Sequence, residues 1–194
     1  MLTGSSDVRH YCKIFLCTFH TAEASGYPND YEFVNRGISG NRVADLLARM
    51  KVDMINEKPD VMSILIGVND VWHDYLVANG ISAELYEKIY NLLIKEVKKA
   101  LPDIRIIILE PFVLSGVATE EHYEEFRAEV LLRAEAAKRV AEINNLEFVP
   151  LQEFFDEAVK HAPENYWLGD GVHPTAAGHE LIAREWMKQF RTCK

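Results

Sequence analysis

Val61-Met62-Ser63-Ile64-Leu65-Ile66-Gly67-Val68-Asn69-Asp70 is a short, continuous apolar run stopped by glycine and followed by polar turn residues. A run of this kind reads as a β-strand buried on both faces, and such a strand needs helices above and below it. The flanking sequence supplies them. Upstream, Asn41 can cap a helix whose apolar positions Val43, Leu46, Leu47, Met50 and Met54 recur at helical spacing until Pro59 ends it. Downstream, Ser82 opens a helix through Ala100, with Leu85, Ile89, Leu92, Leu93 and Val97 on one face.

The alternation extends both ways. Tyr31–Asn35 reads as a strand, and so does the run 104–109, which Pro111 ends. Residues 119–144 form a long charged amphipathic helix, 146–149 a short strand and 151–161 a short helix. Thr175 can cap a last helix that reaches about Arg191. Apolar strands alternating with helices specify an α/β fold with a parallel sheet covered on both faces. No repeat or linker divides the chain, so one domain over residues 1–194 is expected, with 1–30 an atypical N-terminal segment.

Composition narrows the functions. With 194 residues the chain can bury one sizeable core. A net charge of -9 disfavours a nucleic-acid partner, because phosphate binding needs a basic surface. Cys12, Cys17 and Cys193 are too few and too irregular for a disulfide framework. A reducing, cytoplasmic setting is therefore expected rather than secretion. The apolar run 14–19, followed by Ala22-Glu23-Ala24, is too short for a signal peptide, and no stretch approaches a membrane span.

In such a sheet, ligands bind beyond the carboxyl ends of the strands. Three segments there carry chemistry. Asp170-Gly171-Val172-His173 sets a carboxylate three residues before an imidazole on a glycine-containing turn. A carboxylate can hold a histidine in one tautomer so that the other ring nitrogen takes a proton from a nucleophile. Alone, the pair is equally a surface aspartate and a helix-capping histidine. Gly67-Val68-Asn69-Asp70 offers the Asn69 amide to a developing oxyanion, or is merely a turn. Gly37-Ile38-Ser39-Gly40-Asn41 offers the Gly40 N–H in the same role, or is merely a strand-to-helix connection.

In this order, Asn35-Arg36-Gly37-Ile38-Ser39-Gly40-Asn41, Gly67-Val68-Asn69-Asp70 and Asp170-Gly171-Val172-His173-Pro174 resemble the second, third and fifth sequence blocks of the SGNH/GDSL hydrolases, over about residues 31–190. The resemblance implies a flavodoxin-like three-layer α/β/α sandwich. It also implies a serine esterase acting through an acyl-enzyme, without metal or cofactor, on a small ester such as a carbohydrate or lipid acetyl ester. By the same likeness, Gly40 and Asn69 are oxyanion donors, His173 is the base and Asp170 its orienting partner.

The family's first block, a strand ending in Gly-Asp-Ser, has no counterpart in the chain. One placement sets Thr3-Gly4-Ser5-Ser6-Asp7 there, with Ser6 as nucleophile at the family's spacing to Gly40 but only a stub of strand before it. Another makes Lys13-Ile14-Phe15-Leu16-Cys17 the first strand, followed by Thr18-Phe19-His20, with no hydroxyl at the nucleophile position unless Thr18, Ser25 or Cys17 substitutes. A third treats residues 1–24 as an altered N-terminus. The second and third leave open a scaffold lacking its nucleophile.

Among the remaining candidates, Trp72, Phe112, Tyr166 and Trp167 flank the motifs and can line an acyl or sugar pocket or pack as core. Ser39 lacks the spacing of a nucleophile elbow. His73 and His179 lack metal-ligand spacing, and His179 is expected to pack or lie on the surface of the last helix. The charged run 120–125 reads as a solvated helix face. Oligomeric state is open at this level.

Overall fold

The computed structural model describes residues 12–16 and 31–192. Five parallel strands form one sheet in the order β2-β1-β3-β4-β5. They are β1 (Cys12–Leu16), β2 (Tyr31–Asn35), β3 (Val61–Leu65), β4 (Arg105–Leu109) and β5 (Glu147–Val149). The helices are α1 (Val43–Met50), α2 (Val68–Val77), α3 (Ala83–Ala100), α4 (Tyr123–Asn144), α5 (Gln152–Ala158), α6 (Glu164–Trp167) and α7 (Ala176–Thr192). This is the expected α/β sandwich with the flavodoxin-like strand order. The order reverses beside β1, and that is where such folds open a crevice.

Alternation along the strands sorts the core into two layers. Met62 and Ile64 of β3, with Ile106 and Ile108 of β4, meet Leu46 of α1, Tyr86 and Leu93 of α3 and Val140 of α4. Val61, Ile107 and Leu109 point the other way, onto Phe155 of α5 and Ile182 and Trp186 of α7. Burying each such side chain contributes about 1.5–3 kcal/mol. Ser63 also faces α7, and its buried hydroxyl accepts the Trp186 indole N–H at 2.7 Å. Among the described residues no helix is long and apolar enough to cross a membrane.

Several local expectations are corrected. The cap of α1 is Arg42 rather than Asn41: the Asp45 carboxylate reaches back to the Arg42 N–H at 2.8 Å. The helical pattern 43–54 is not one α-helix. It widens after Met50 into a π-type segment, Lys51–Ile55, so Met54 is buried from a different turn geometry. The segment after β3 is no open turn. Gly67 passes directly into α2, whose first turn takes Asn69 and Asp70, weak helix formers placed where an acidic residue suits the positive helix end. A further short helix, α6, starts after Pro163. Ser82 caps α3 as expected, its hydroxyl accepting the Leu85 N–H at 3.3 Å.

The first strand is Cys12–Leu16, close to the 13–17 placement and not the stub before Gly4. It pairs with β2 through Ile14 and Phe33 and with β3 through Ile14 and Val61. Ser6 therefore stands before the amino end of β1 in the chain, opposite in order to the carboxyl end where a parallel sheet presents its chemistry. Ser6 itself, and the stretch 17–30 that follows β1 and includes Thr18 and Ser25, lie outside the described residues.

Candidate active site

A cleft of about 370 Å³ opens at the carboxyl ends of the strands. Gly37 to Asn41 line it after β2, Leu65 to Asn69 after β3, Pro111 and Phe112 after β4, and Val172 to Pro174 before α7. The three motif segments thus converge on one space, with Gly40, Asn69 and His173 all on its wall.

The Asp170–His173 turn is tightly determined. Asp170 Oδ2 lies 2.7 Å from His173 Nδ1, while Oδ1 accepts the backbone N–H of Val172 at 3.0 Å and of His173 at 2.8 Å. Partial burial pushes the Asp170 carboxyl up, but the three hydrogen bonds outweigh it and hold the group below its ordinary value. An ionised carboxylate only accepts, so the proton between the two side chains sits on Nδ1, and in the neutral ring Nε2 is then the acceptor. The base of the loop is pinched by an antiparallel bridge between Leu168 and Pro174, with the Gly169 N–H donating to the His173 carbonyl at 2.9 Å. Thr175 caps α7, its hydroxyl accepting the Gly178 N–H at 3.3 Å. The His173 side chain is 63% exposed, so its ring is open to a substrate.

The opposite wall is built by α2 clamping the loop before α1. The Asn69 amide donates to the Asn41 carbonyl at 3.1 Å, and its second N–H remains for a ligand. The neighbouring Asp70, fully buried, accepts the Val43 N–H with both oxygens, at 3.1 and 3.2 Å. Burial drives its carboxyl up to about 7, against the Val43 N–H and the nearby Arg133 and Arg42 guanidiniums. Gly40 holds φ at +80°, a left-handed conformation that glycine adopts without steric cost. A side chain there would point at the His73 ring, 3.9 Å away.

The other candidates separate. Phe112 lines the cleft and stacks on Phe155 at 4.4 Å between ring centroids. Trp72 tilts against the His173 ring at 5.6 Å. Trp167 is not among the residues lining the cleft; its indole N–H donates to the Ala162 carbonyl at 3.2 Å and it packs against the core layer of Phe155, Ile182 and Trp186. Tyr166 lies edge-on to it at 5.0 Å and is exposed. His179 lines the cleft rather than packing elsewhere, as does Ser39.

Sequence reading missed the residues that support the Asp170–His173 turn from outside. The Leu114 N–H donates to the Gly171 carbonyl at 2.9 Å and the Ala118 N–H to the Asp170 carbonyl at 3.0 Å. Gln152 holds the same loop by both ends of its amide, to the Val113 N–H and carbonyl, each at 3.0 Å. Gly116, a small residue in an otherwise unremarked connection, and Gly171 in the turn are the local signals of this support.

Comparison with known proteins shows the family. Residues 19–181 match the GDSL-like lipase/acylhydrolase family. An acetylxylan esterase from Geobacillus stearothermophilus is 35% identical over 161 residues, 81% of this chain and 71% of that protein. Among solved structures, one described as a GDSL-like lipase, from Parabacteroides merdae, superposes with a TM-score of 0.78 at 41% identity, covering 82% of this chain and 72% of its own. The acetylxylan esterase Axe2 of Geobacillus stearothermophilus superposes with a TM-score of 0.77 at 30% identity, covering 92% and 93%. Catalytic mutants of Axe2 carry alanine in place of a serine, an aspartate and a histidine, the aspartate three positions before the histidine.

Proposed function

Because the chain belongs to the GDSL-like lipase/acylhydrolase family, and so to the carboxylic-ester hydrolases, we propose that it removes acetyl groups from small carbohydrate esters. The observation that carries the reading is the Asp170–His173 pair on the same cleft wall system as the Gly40 and Asn69 donors. The spacing of that pair is also the spacing of the aspartate and histidine replaced in the Axe2 catalytic mutants.

In this mechanism a hydroxyl attacks the acetyl carbonyl carbon while His173 Nε2 takes its proton. The oxyanion that forms on the carbonyl oxygen is met by the Gly40 N–H and the Asn69 amide. The tetrahedral intermediate collapses, the sugar oxygen leaves with the proton held by His173, and an acetyl-enzyme remains. Water, deprotonated by His173, then attacks the same carbonyl carbon and releases acetate, returning the proton to the nucleophile. Asp170 keeps the ring in the tautomer this cycle needs.

Ser6 has the family's spacing to Gly40 but precedes β1; Thr18 and Ser25 follow it. A fluorophosphonate label mapped by mass spectrometry separates these three. Hydrolysis of nitrophenyl acetate and acetylated xylo-oligosaccharides, beside His173→Ala, tests the rest. Turnover that survives His173→Ala would refute the mechanism. The absence of Gly-Asp-Ser favours a second reading, a scaffold without its nucleophile; it predicts neither covalent label nor turnover, with the cleft intact.

A further inference from the structure

We propose that the connection after β4, residues 113–119, is the template that sets the geometry of the catalytic turn, with Thr119 as its positioning residue. The Asp170–His173 turn is anchored by Val172, buried with Val71 and Val113, and its main chain is held by a second segment. That segment is the 113–119 backbone, which lies alongside the turn. The Leu114 and Ala118 N–H groups donate to the Gly171 and Asp170 carbonyls, so two successive peptide units of the turn are pinned from one side.

The two segments touch backbone to backbone. A methyl group built on Gly116 would stand 2.3 Å from the Asp170 carbonyl carbon and 2.4 Å from the Gly171 nitrogen. One built on Gly171, at φ +98°, would stand 2.7 Å from the Leu114 carbonyl oxygen and 2.8 Å from the Thr119 hydroxyl. Each glycine is thus required by the other segment's closeness, and the pair forms a seam with no room for a side chain.

Thr119 locks the template side of that seam. It is buried, and its hydroxyl accepts the Gly116 N–H at 3.1 Å while donating to the Leu114 carbonyl at 3.0 Å. One hydroxyl therefore ties together the residue that pins Gly171 and the residue that abuts Asp170. The same hydroxyl also lies 3.2 Å from the Gly116 carbonyl; removing it leaves a part-buried N–H and the buried Leu114 carbonyl short of a partner. Their shared loop then relaxes, and with it the carboxylate that must meet His173 Nδ1 within hydrogen-bond reach. Thr119 touches no reacting atom; it acts through Asp170.

The proposal rests on His173 being the base, and its test separates the two ideas. Thr119→Val removes the hydroxyl at nearly constant volume; Thr119→Ser keeps it. Imidazole ¹⁵N shifts of His173 report which ring nitrogen carries the proton, whether or not the protein turns over. In Thr119→Val the Nδ1–H tautomer is expected to lose population, and kcat for nitrophenyl acetate to fall about ten- to hundredfold with KM little changed, since a displacement near 1 Å costs about that much. Thr119→Ser is expected to keep both. Gly116→Ala should produce the same ¹⁵N change more strongly; where it fails to fold, the Thr119 pair decides alone. An unchanged tautomer in Thr119→Val, or an equal loss in Thr119→Ser, overturns the template. If the parent protein shows the Nδ1–H signature but no turnover, the hydrolase reading fails and the ¹⁵N arm still judges the template.

Discussion

Replacing Asp70 by Asn should reverse part of the protein's pH dependence of stability. The carboxylate is fully buried against the first turn of α1, accepting the Val43 N–H with both oxygens. Arg133 and Arg42 favour its charge and Asp45 opposes it, but burial dominates and carries the carboxyl from 3.8 to about 7. The folded chain therefore holds a proton across a pH range in which the unfolded chain has released it. By linkage, stability falls as pH rises from about 4 towards 7 and levels off above that. A separation of about 3 in pKa, at about 1.4 kcal/mol each, makes the full cost about 4 kcal/mol, of which roughly 2–3 develops between pH 5 and pH 8. Asparagine keeps an acceptor for the Val43 N–H and carries no charge. The stability of Asp70→Asn minus that of the parent should thus rise by about 2–3 kcal/mol from pH 5 to pH 8, read by urea unfolding at both. A difference equal at the two pH values, or one that shrinks, would refute the argument that desolvation governs this group.

Other outcomes follow from separate parts of the structure. Asn69→Ala should lower kcat by about 10²–10³, measured on nitrophenyl acetate, and cost about 0.5–1.5 kcal/mol of stability through the lost bond to the Asn41 carbonyl; a kcat loss below threefold would remove the amide from the oxyanion hole. Ser63→Ala strands the buried Trp186 indole N–H and should cost about 1–3 kcal/mol in chemical denaturation, with turnover retained. Phe155→Ala opens a cavity behind the Phe112 wall of the cleft and should cost about 3–5 kcal/mol, with weaker substrate binding as a second readout. Equal stability in that variant would mean the stacked pair is not part of the core layer shared with Ile182 and Trp186.

Much of this was legible in the residues because apolar periodicity survives folding. The runs at Val61 and Ile106 became strands with their apolar positions buried, and the pattern after Ser82 became α3. The buried face of α3 is not the expected one: Tyr86, Tyr90, Leu93, Ile94 and Val97 are buried, while Leu85 and Leu92 are exposed, because the two tyrosine rings rather than those leucines fill the space over the sheet. The motif pieces could be read because a parallel sheet gathers its strand ends. Where reading failed, the deciding contact was usually one between segments remote in the chain, the cap of α1 being a local exception. Asn69 and Asp70 look like turn residues until the Asn41 carbonyl and the Val43 N–H arrive to be bound, and α2 can then start. Arg42 displaces Asn41 as cap through a carboxylate one turn later. The 113–119 support uses backbone N–H groups and a close approach, neither of which leaves a side-chain signature beyond Gly116 and Gly171.

The position of β1 in the sheet has a consequence for biosynthesis. Its partners on both sides come later in the chain: Ile14 waits for Phe33 on one edge and for Val61 on the other. At about 5–20 residues per second, a ribosome takes roughly 2–9 s to make the stretch between Ile14 and Val61. Throughout that interval the apolar Ile-Phe-Leu run is a nascent strand with an unfilled side, able to associate with another chain. Slowing translation downstream of β2 should therefore increase aggregation on the polysome, and a chaperone that shields extended apolar segments should matter most before the residues of β3 emerge.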